Sequence, residues 1–405
     1  MRRIIFIVLV ALALLSAPAL AGDWPMARKD AQHTSHADEA LRPPLELAWS
    51  KDARPGIVAS PVVANGTLFY TNWTGRTLIA ADPGTGRTLW QFETQGPLES
   101  TPAVSGGVIV FGTYDGHVYC LRASDGFALW KAPLKAGSYS SALVYGGRAY
   151  IGSDEGYFFA LDMETGDVAW KLADNLTQGT AAAHDGRVFI GMLDGNVYAL
   201  EPSTGDVIWR YNTTSGIHSS PMVHNGTVYI AARDGKLYAL DEAAGSLRWT
   251  ADLGYKADAT PSIDPATGTV VVGTFGGYLF GVDAATGEVR WVSQFYGPIY
   301  ATAAVSGDTV YCCTQDGRLF AVDARDGSGR WTYEIGGETF PSPAIANGYL
   351  YTGSLDGRLL AFRAASSPAT ATPAPTAGPT PAPAPFPGLL ACLAAAALAL
   401  ALRRR

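Results

Sequence analysis

Eight equivalent positions in this chain carry the residues best suited to chemistry. They emerge when repeated segments are aligned on Ser219-Ser220-Pro221 and the residue three before the proline is taken from each. The positions around them hold small residues, mainly serine, threonine, alanine and proline. The selected positions vary in type, and in chain order they hold Val58, Glu99, Tyr139, Gln178, His218, Asp258, Tyr300 and Phe340.

These eight positions offer three kinds of chemistry. The carboxylates of Glu99 and Asp258 could hold a cation, because hard cations prefer oxygen ligands. His218 could titrate near neutral pH or coordinate a metal. The three aromatic rings could stack on a flat molecule. The alternative is that the residues only line a water-filled channel, and the sequence leaves both interpretations open.

The sequence predicts no catalytic residue and no metal site. It contains no G-x-S-x-G, no nucleotide-binding loop and no H-E-x-x-H. His33 and His36 have the spacing of a metal pair, but they stand in a polar segment without further ligands. We therefore expect both histidines to face solvent.

Regularly spaced tryptophans indicate the elements that position these residues. The spacing is between 39 and 42 residues throughout, at Trp49, Trp90, Trp130, Trp170, Trp209, Trp249, Trp291 and Trp331. A repeat of this length with one tryptophan per unit is typical of a propeller blade. The spacing also leaves only short loops, and the variable positions then gather at one mouth of a central channel, where a propeller would bind a ligand.

Each repeat reads as four short antiparallel strands joined by tight turns. In the copy from Val223 to Trp249, apolar runs alternate with Asn225-Gly226 and Asp234-Gly235, which supply the positive φ of hairpin turns. A pattern A-x-D-x-x-T-G-x-x-x-W precedes the tryptophan, in full at Ala80 and Ala160. Its small first residue leaves room for the indole, which we expect to dock between neighbouring blades.

The two ends of the repeat array are complementary. The eighth repeat stops after Phe362 without a tryptophan strand, while Leu45 to Trp49 is a tryptophan strand without a blade. Pairing them closes the ring and removes the open edge. We predict an all-β, eight-bladed β-propeller over residues 22–363, with the last blade closed by the N-terminal strand.

The tryptophan motif resembles that of the pyrroloquinoline quinone (PQQ) repeat family, which includes quinoprotein alcohol dehydrogenases and BamB-like assembly lipoproteins of bacterial outer membranes. The opening Trp24-Pro25-Met26-Ala27-Arg28 is similar to the start of such chains. The resemblance implies the propeller fold and leaves the function open. It would allow PQQ and calcium as cofactors, although no cofactor is expected for a binding protein. Cys312-Cys313 resembles an adjacent pair that forms a disulfide in some of these dehydrogenases, but we expect two reduced structural thiols.

The terminal segments predict export. Residues 1–21 have two arginines, an apolar run and a small-residue cleavage site, which is typical of a signal peptide. Residues 364–385 contain only Ala, Ser, Thr, Pro and Gly, as in an extended stalk. Residues 386–405 combine Pro-Gly, an apolar run and three arginines, and resemble an archaeal PGF-CTERM sorting signal. The tail is either processed or kept as an anchor, and in both cases we expect the propeller on the outer face of the membrane.

Charge and sequons complete the prediction. The formal charge is −7, and since five arginines lie in the terminal segments, residues 22–385 carry −12, which argues against nucleic acid. Glycosylation candidates are Asn72, Asn175 and Asn212.

We predict a monomeric, surface-tethered, non-catalytic binding or scaffolding module that contacts a protein or envelope component. The alternatives are a PQQ- and calcium-dependent alcohol dehydrogenase and a carbohydrate-binding envelope protein.

Overall fold

The protein is an eight-bladed β-propeller. The computed structural model describes residues 22–173 and 177–366. These ranges fold into eight antiparallel sheets and contain no helix, so none of the described residues forms a helix able to cross a membrane. The predicted signal peptide, Asn175, the C-terminal tail and nearly all of the stalk lie outside the described ranges.

Every blade has four strands, ordered from the central channel outward. The inner strands are Val62–Ala64, Ala103–Ser105, Leu143–Tyr145, Ala182–His184, Met222–His224, Ser262–Asp264, Ala304–Ser306 and Ala344–Ala346. The second strands are Thr67–Asn72, Val108–Gly112, Arg148–Ser153, Arg187–Gly191, Thr227–Ala231, Thr269–Gly273, Thr309–Thr314 and Tyr349–Gly353. The third strands are Thr77–Ala81, His117–Arg122, Tyr157–Asp162, Asn196–Leu200, Lys236–Asp241, Tyr278–Asp283, Arg318–Asp323 and Arg358–Ala364. The outer strands of blades one to seven are Thr88–Glu93, Ala128–Pro133, Val168–Leu172, Val207–Asn212, Leu247–Asp252, Val289–Gln294 and Gly329–Glu334.

The N-terminal strand closes the ring, as predicted. Leu45–Asp52 is the outer strand of blade eight and pairs antiparallel with Arg358–Ala364, from Leu45 opposite Ala364 to Asp52 opposite Arg358. The first and last strands of the propeller therefore meet within one sheet. The backbone amide of Ala365 extends this contact by donating to the carbonyl of Pro44 at 3.0 Å. The pairing covers the outward edge of Arg358–Ala364, which would otherwise be open.

The tryptophans dock between blades, as the motif predicted. The Nε1 of Trp209 donates to the carbonyl of Glu242 in the next blade at 2.9 Å, and six of the other seven motif tryptophans make the equivalent bond. The indole of Trp209 lies against Gly245 of the next blade, where an added Cβ would come within 2.5 Å of the ring. The pairing of the outer strand with the third strand shifts by one residue just before the tryptophan: Trp209 lies opposite Ala199, and Val207 lies opposite Leu200. This bulge turns the outer strand toward the next blade.

Apolar side chains fill the spaces between blades. Residues such as Tyr150, Phe189 and Phe362 are fully buried there. Cys312 and Cys313 are also buried, both as free thiols, and burial raises the pKa of Cys313 to about 12. The adjacent cysteines are therefore structural residues of the inter-blade core, as expected.

The N-terminal segment, residues 22–44, runs across one face of the channel and touches most inner strands in turn. Its backbone bonds to blade one at Trp24, to blade two at Pro25, to blade four at Ala31 and to blade five at Gln32. It then bonds to blades six and seven, where His36–Ala37 adds a short parallel strand. We call residues 22–44 the plug segment.

The expectation that the histidines of this segment face solvent is wrong for His33. Its side chain is buried, and Nδ1 lies 2.8 Å from the carbonyl oxygen of Pro221. Since the carbonyl can only accept, Nδ1 carries the proton. Burial lowers the pKa of His33 to about 3, so the ring is neutral. His36 is half-buried. The segment is polar because it lines the channel, not because it faces solvent.

Candidate functional site at the channel mouth

A ring of hydroxyl side chains sets the geometry of the channel. It is formed by the residue two after each candidate position, namely Ser60, Thr101, Ser141, Thr180, Ser220, Thr260, Thr302 and Ser342. The backbone amide of one member donates to the hydroxyl of the next blade, as from Ser220 to Thr260 at 3.0 Å. The same contact joins blades seven and eight, and blades eight and one. Six of the eight possible contacts of this kind are present, and we call the set the hydroxyl ring.

The candidate residues lie in loops rather than at the start of the inner strands. In blade five, for example, His218 precedes the inner strand Met222–His224 by four residues. Each inner strand therefore begins beyond its candidate residue. The loop placement lets their side chains reach each other around the mouth.

A polar sector of the mouth spans blades four to six. The Nδ1 of His218 lies 2.7 Å from Oε1 of Gln178 and 4.0 Å from Oδ2 of Asp258. Asp258 accepts two bonds from Arg233, at 2.9 and 2.6 Å. Burial is the main cause that lowers the pKa of His218 to about 4, with Arg233 acting in the same direction and Asp258 opposing it. His218 is therefore neutral at physiological pH and does not titrate near pH 7.

An aromatic sector continues from Arg233 toward blade eight. The guanidinium lies 5.8 Å from the ring centre of Phe275, which lies 4.7 Å from Tyr300. Tyr300 in turn lies 5.5 Å from Phe340. Tilted rings at these separations make favourable contacts. The three rings form one continuous apolar surface beside the polar sector.

Glu99 stands on the opposite side of the channel, in blade two. Burial raises the pKa of its carboxyl to about 7; a hydrogen bond to Trp73 opposes this shift and the nearby charge of Asp154 adds to it. Next to it, Tyr114 and Tyr139 meet edge to face at 4.8 Å. Glu99 is thus partly protonated near neutral pH and can either donate or accept a hydrogen bond.

A second set of mouth residues was missed by the sequence reasoning. They come from the turn between the second and third strands and are Trp73, Tyr114, Asp154, Arg233, Phe275, Gln315 and Leu355. Their backbone amides donate to the loop residue two before the candidate position, as from Tyr114 to Pro97 at 2.9 Å. Each of them stands just before a turn, usually Asp-Gly or a related pair with glycine, and this spacing could have identified them.

The carboxylates of Glu99 and Asp258 do not meet. Blades two and six face each other across an eight-bladed ring, and Asp258 is already bound by Arg233. Calcium takes about six to eight oxygen ligands. No group of three or more His, Cys, Asp or Glu side chains among the described residues could hold a metal. The described carboxylates at the mouth therefore supply fewer oxygen ligands than calcium takes, and a cation held by Glu99 or by Asp258 stays a prediction.

The glycosylation candidates differ in accessibility. Asn72 is half-buried, and its Nδ2 donates to the carbonyl of Arg54 at 2.6 Å. Asn212 is exposed, with Nδ2 bonded to Oδ1 of Asn196 at 2.9 Å. Both side-chain amides thus make one hydrogen bond within the protein, and Asn212 differs from Asn72 in its greater exposure.

Two family models and several solved structures match the chain. The model described as beta-alanine-activating enzyme, beta-propeller matches residues 140–372. The model described as outer membrane protein assembly factor BamB matches residues 45–99 and 74–180. A curated relative of the latter description, from Nitrosomonas eutropha, is 42% identical over 74 residues, which are 18% of this chain and only 17% of the relative.

The solved structures share the fold at low identity. BamB from Moraxella catarrhalis has a TM-score of 0.71 at 20% identity, over 79% of this chain and 99% of that one. A europium-containing methanol dehydrogenase has 0.78 at 16%, over 85% and 98%. Quinohemoprotein alcohol dehydrogenase from Comamonas testosteroni has 0.75 at 16%, over 86% and 82%. Since the first family model covers more than half of the sequence, the chain belongs to the family described as beta-alanine-activating enzyme, beta-propeller, and its blades are PQQ-type repeats.

Proposed function

We propose that the protein is a non-catalytic binding module whose channel mouth receives a segment of a protein partner. The observation that carries the proposal is that the mouth has little uncompensated charge. Arg233 neutralises Asp258 through hydrogen bonds, His218 is neutral, and the raised pKa of Glu99 favours its protonated form. A surface of this kind suits a partner that offers an apolar side chain and hydrogen-bonding groups rather than a metal or a strongly charged ligand.

Site-specific photo-crosslinking tests the proposal. A photoreactive phenylalanine analogue at Tyr139, which is 38% exposed at the mouth, should form a defined adduct in cells that express the protein. The matched control carries the analogue at Phe127, which is 60% exposed on the outer edge of a blade. Adducts from the control alone would place partner binding at the blade edges and overturn the proposal.

The proposed place of action is the outer face of the cell membrane. Support comes from the predicted signal peptide at 1–21, the predicted stalk and tail after the propeller, and relatives described as outer membrane assembly factors. Protease added to intact cells should release the propeller by cutting the stalk. Resistance in intact cells, with cleavage only after lysis, would contradict this topology.

The alternative function is PQQ-dependent alcohol oxidation, which the fold of the neighbouring dehydrogenases favours. If PQQ bound, it would lie at the mouth against the rings of Tyr300 and Phe340 and would supply the redox chemistry. Purified protein mixed with PQQ and calcium should then show saturable binding and dye-linked alcohol oxidation. A carbohydrate ligand for the same aromatic rings is a third possibility, and glycan-array binding that is lost in Phe340→Ala would support it.

A further inference from the structure

Arg28 of the plug segment contacts the hydroxyl ring at blade seven. The amide of Ser35 donates to the carbonyl of Arg28 at 3.1 Å, and the carbonyl of Ser35 accepts from the amide of Val305 in blade seven at 2.8 Å. The loop of the plug segment therefore brings Arg28 to this blade. Its guanidinium Nε donates to Oγ1 of Thr302 in the same blade, at 3.3 Å. The side chain thus lies between the plug segment and the hydroxyl ring.

The charge of Arg28 has no acidic partner among the described residues. The nearest carboxylate in sequence, Asp30, accepts hydrogen bonds from the amide and hydroxyl of Thr34, and Lys29 is paired with Asp38. Burial lowers the pKa of Arg28 to about 10, so the group stays charged at neutral pH, and no carboxylate contributes to its shift. A guanidinium has five N–H donors, and only one is used by the described chain.

The loop that holds Arg28 is strained. Arg28, Lys29, His33 and Ser35 all have positive φ values, from 51° to 79°. Left-handed backbone at residues other than glycine is strained, and such residues cluster at ligand sites. The amide of Ser35 donates to the carbonyl of Arg28 at 3.1 Å, and the buried hydroxyl of Ser35 has no described hydrogen-bond partner. The loop thus presents unused donors beside an uncompensated charge.

We propose that the channel holds a chloride-sized anion between the guanidinium of Arg28 and the hydroxyl ring. An unpaired charge that is partly removed from water is costly, and a counter-ion removes that cost. Six of the eight blade-to-blade links in the hydroxyl ring are hydrogen bonds of 2.8–3.1 Å, and these hold the blades at a fixed spacing that favours a small anion.

Thermal unfolding at constant ionic strength tests the site. When sodium gluconate, whose anion is too large to enter, is replaced by sodium chloride at ten times its Kd, the Tm of the purified protein should rise by roughly 2–4 °C. Arg28→Met should lose this increment. Arg122→Met is the matched control, because Arg122 is half-exposed and paired with Asp125, and it should keep the increment.

A direct measurement covers the case in which Arg28→Met does not fold. Crystals of the unmodified protein grown in bromide should show anomalous density within hydrogen-bonding distance of the Arg28 guanidinium. An equal chloride increment in the parent and Arg28→Met proteins would overturn the proposal. Bromide crystals without density at that place would overturn it as well.

Discussion

Substituting two glycines with the same backbone conformation should separate tryptophan docking from turn chemistry. Gly245 and Gly254 both have φ of +69°. An added Cβ at Gly245 would lie 2.5 Å from Cδ2 of Trp209, whereas at Gly254 nothing lies within 4 Å. Both changes to alanine carry the left-handed backbone cost of about 1–2 kcal/mol. Gly245→Ala alone adds overpacking against the indole, which costs about 1–3 kcal/mol more.

The free energy of unfolding in urea measures the difference. We expect a loss of about 1–2 kcal/mol for Gly254→Ala and of about 2–5 kcal/mol for Gly245→Ala, with similar m-values. The additional loss of unfolding free energy in Gly245→Ala measures the cost of overpacking where the indole of one blade lies against the glycine of the next. Equal losses in the two variants would refute the reasoning, because they would show that the indole can move aside without cost and that the glycine of the motif serves the turn alone.

Three further predictions follow from contacts elsewhere in the ring. Trp209→Phe should cost about 1–2 kcal/mol through loss of the bond to Glu242, against about 3–5 for Trp209→Ala; a urea midpoint for Trp209→Phe equal to that of the parent would contradict the role of that bond. Deleting residues 22–52 should expose the edge of Arg358–Ala364 and cause association; a truncated protein that elutes as a monomer and does not bind a hydrophobic dye would disprove this. Since the carboxyl of Glu99 has a pKa raised from 4.5 to about 7, the folded state binds more protons than the unfolded state between those values, so stability falls as pH rises through that window. Glu99→Gln should flatten this part of the urea-midpoint profile, and an unchanged profile would assign the slope to other groups.

The architecture could be predicted from the sequence because its information is local and repeated. The spacing of Trp209 and its seven equivalents, the positive-φ turns such as Asn225-Gly226, and the incomplete eighth repeat are each visible in a stretch of about one blade. Every copy supports the same blade, so an error in one copy does not change the result. Closure by Leu45–Asp52 followed from the same logic, since one missing strand and one spare strand can only complete each other.

The candidate site could be predicted only as a set of positions. The alignment identified the ring that includes Glu99, His218 and Asp258, but it did not show that blades two and six keep the two carboxylates apart. It also missed Arg233, whose bonds neutralise Asp258, because that residue comes from another turn of the preceding blade. Side chains at the mouth pair with residues of an adjacent blade, about one repeat away in sequence. The repeat pattern shows which positions are equivalent, but it does not show which side chains pair.

The blade, the number of blades and the strand that closes the ring follow from the amino-acid sequence alone, since these depend on local hydrogen bonding, turn conformation and the fit of one indole against one glycine. The role of the plug segment and the charge of the mouth emerge only in the folded ring. Residues 22–44 have no repeat of their own, and the polar residues around His33 and His36 predicted that both histidines face solvent. In the folded ring, the inner strands leave backbone amides directed toward the channel, and the segment is held there by accepting them one blade at a time. That burial shifts the pKa values of His33 and Arg28 and leaves a cation inside the channel, because desolvation is a property of the assembled ring and of no single segment.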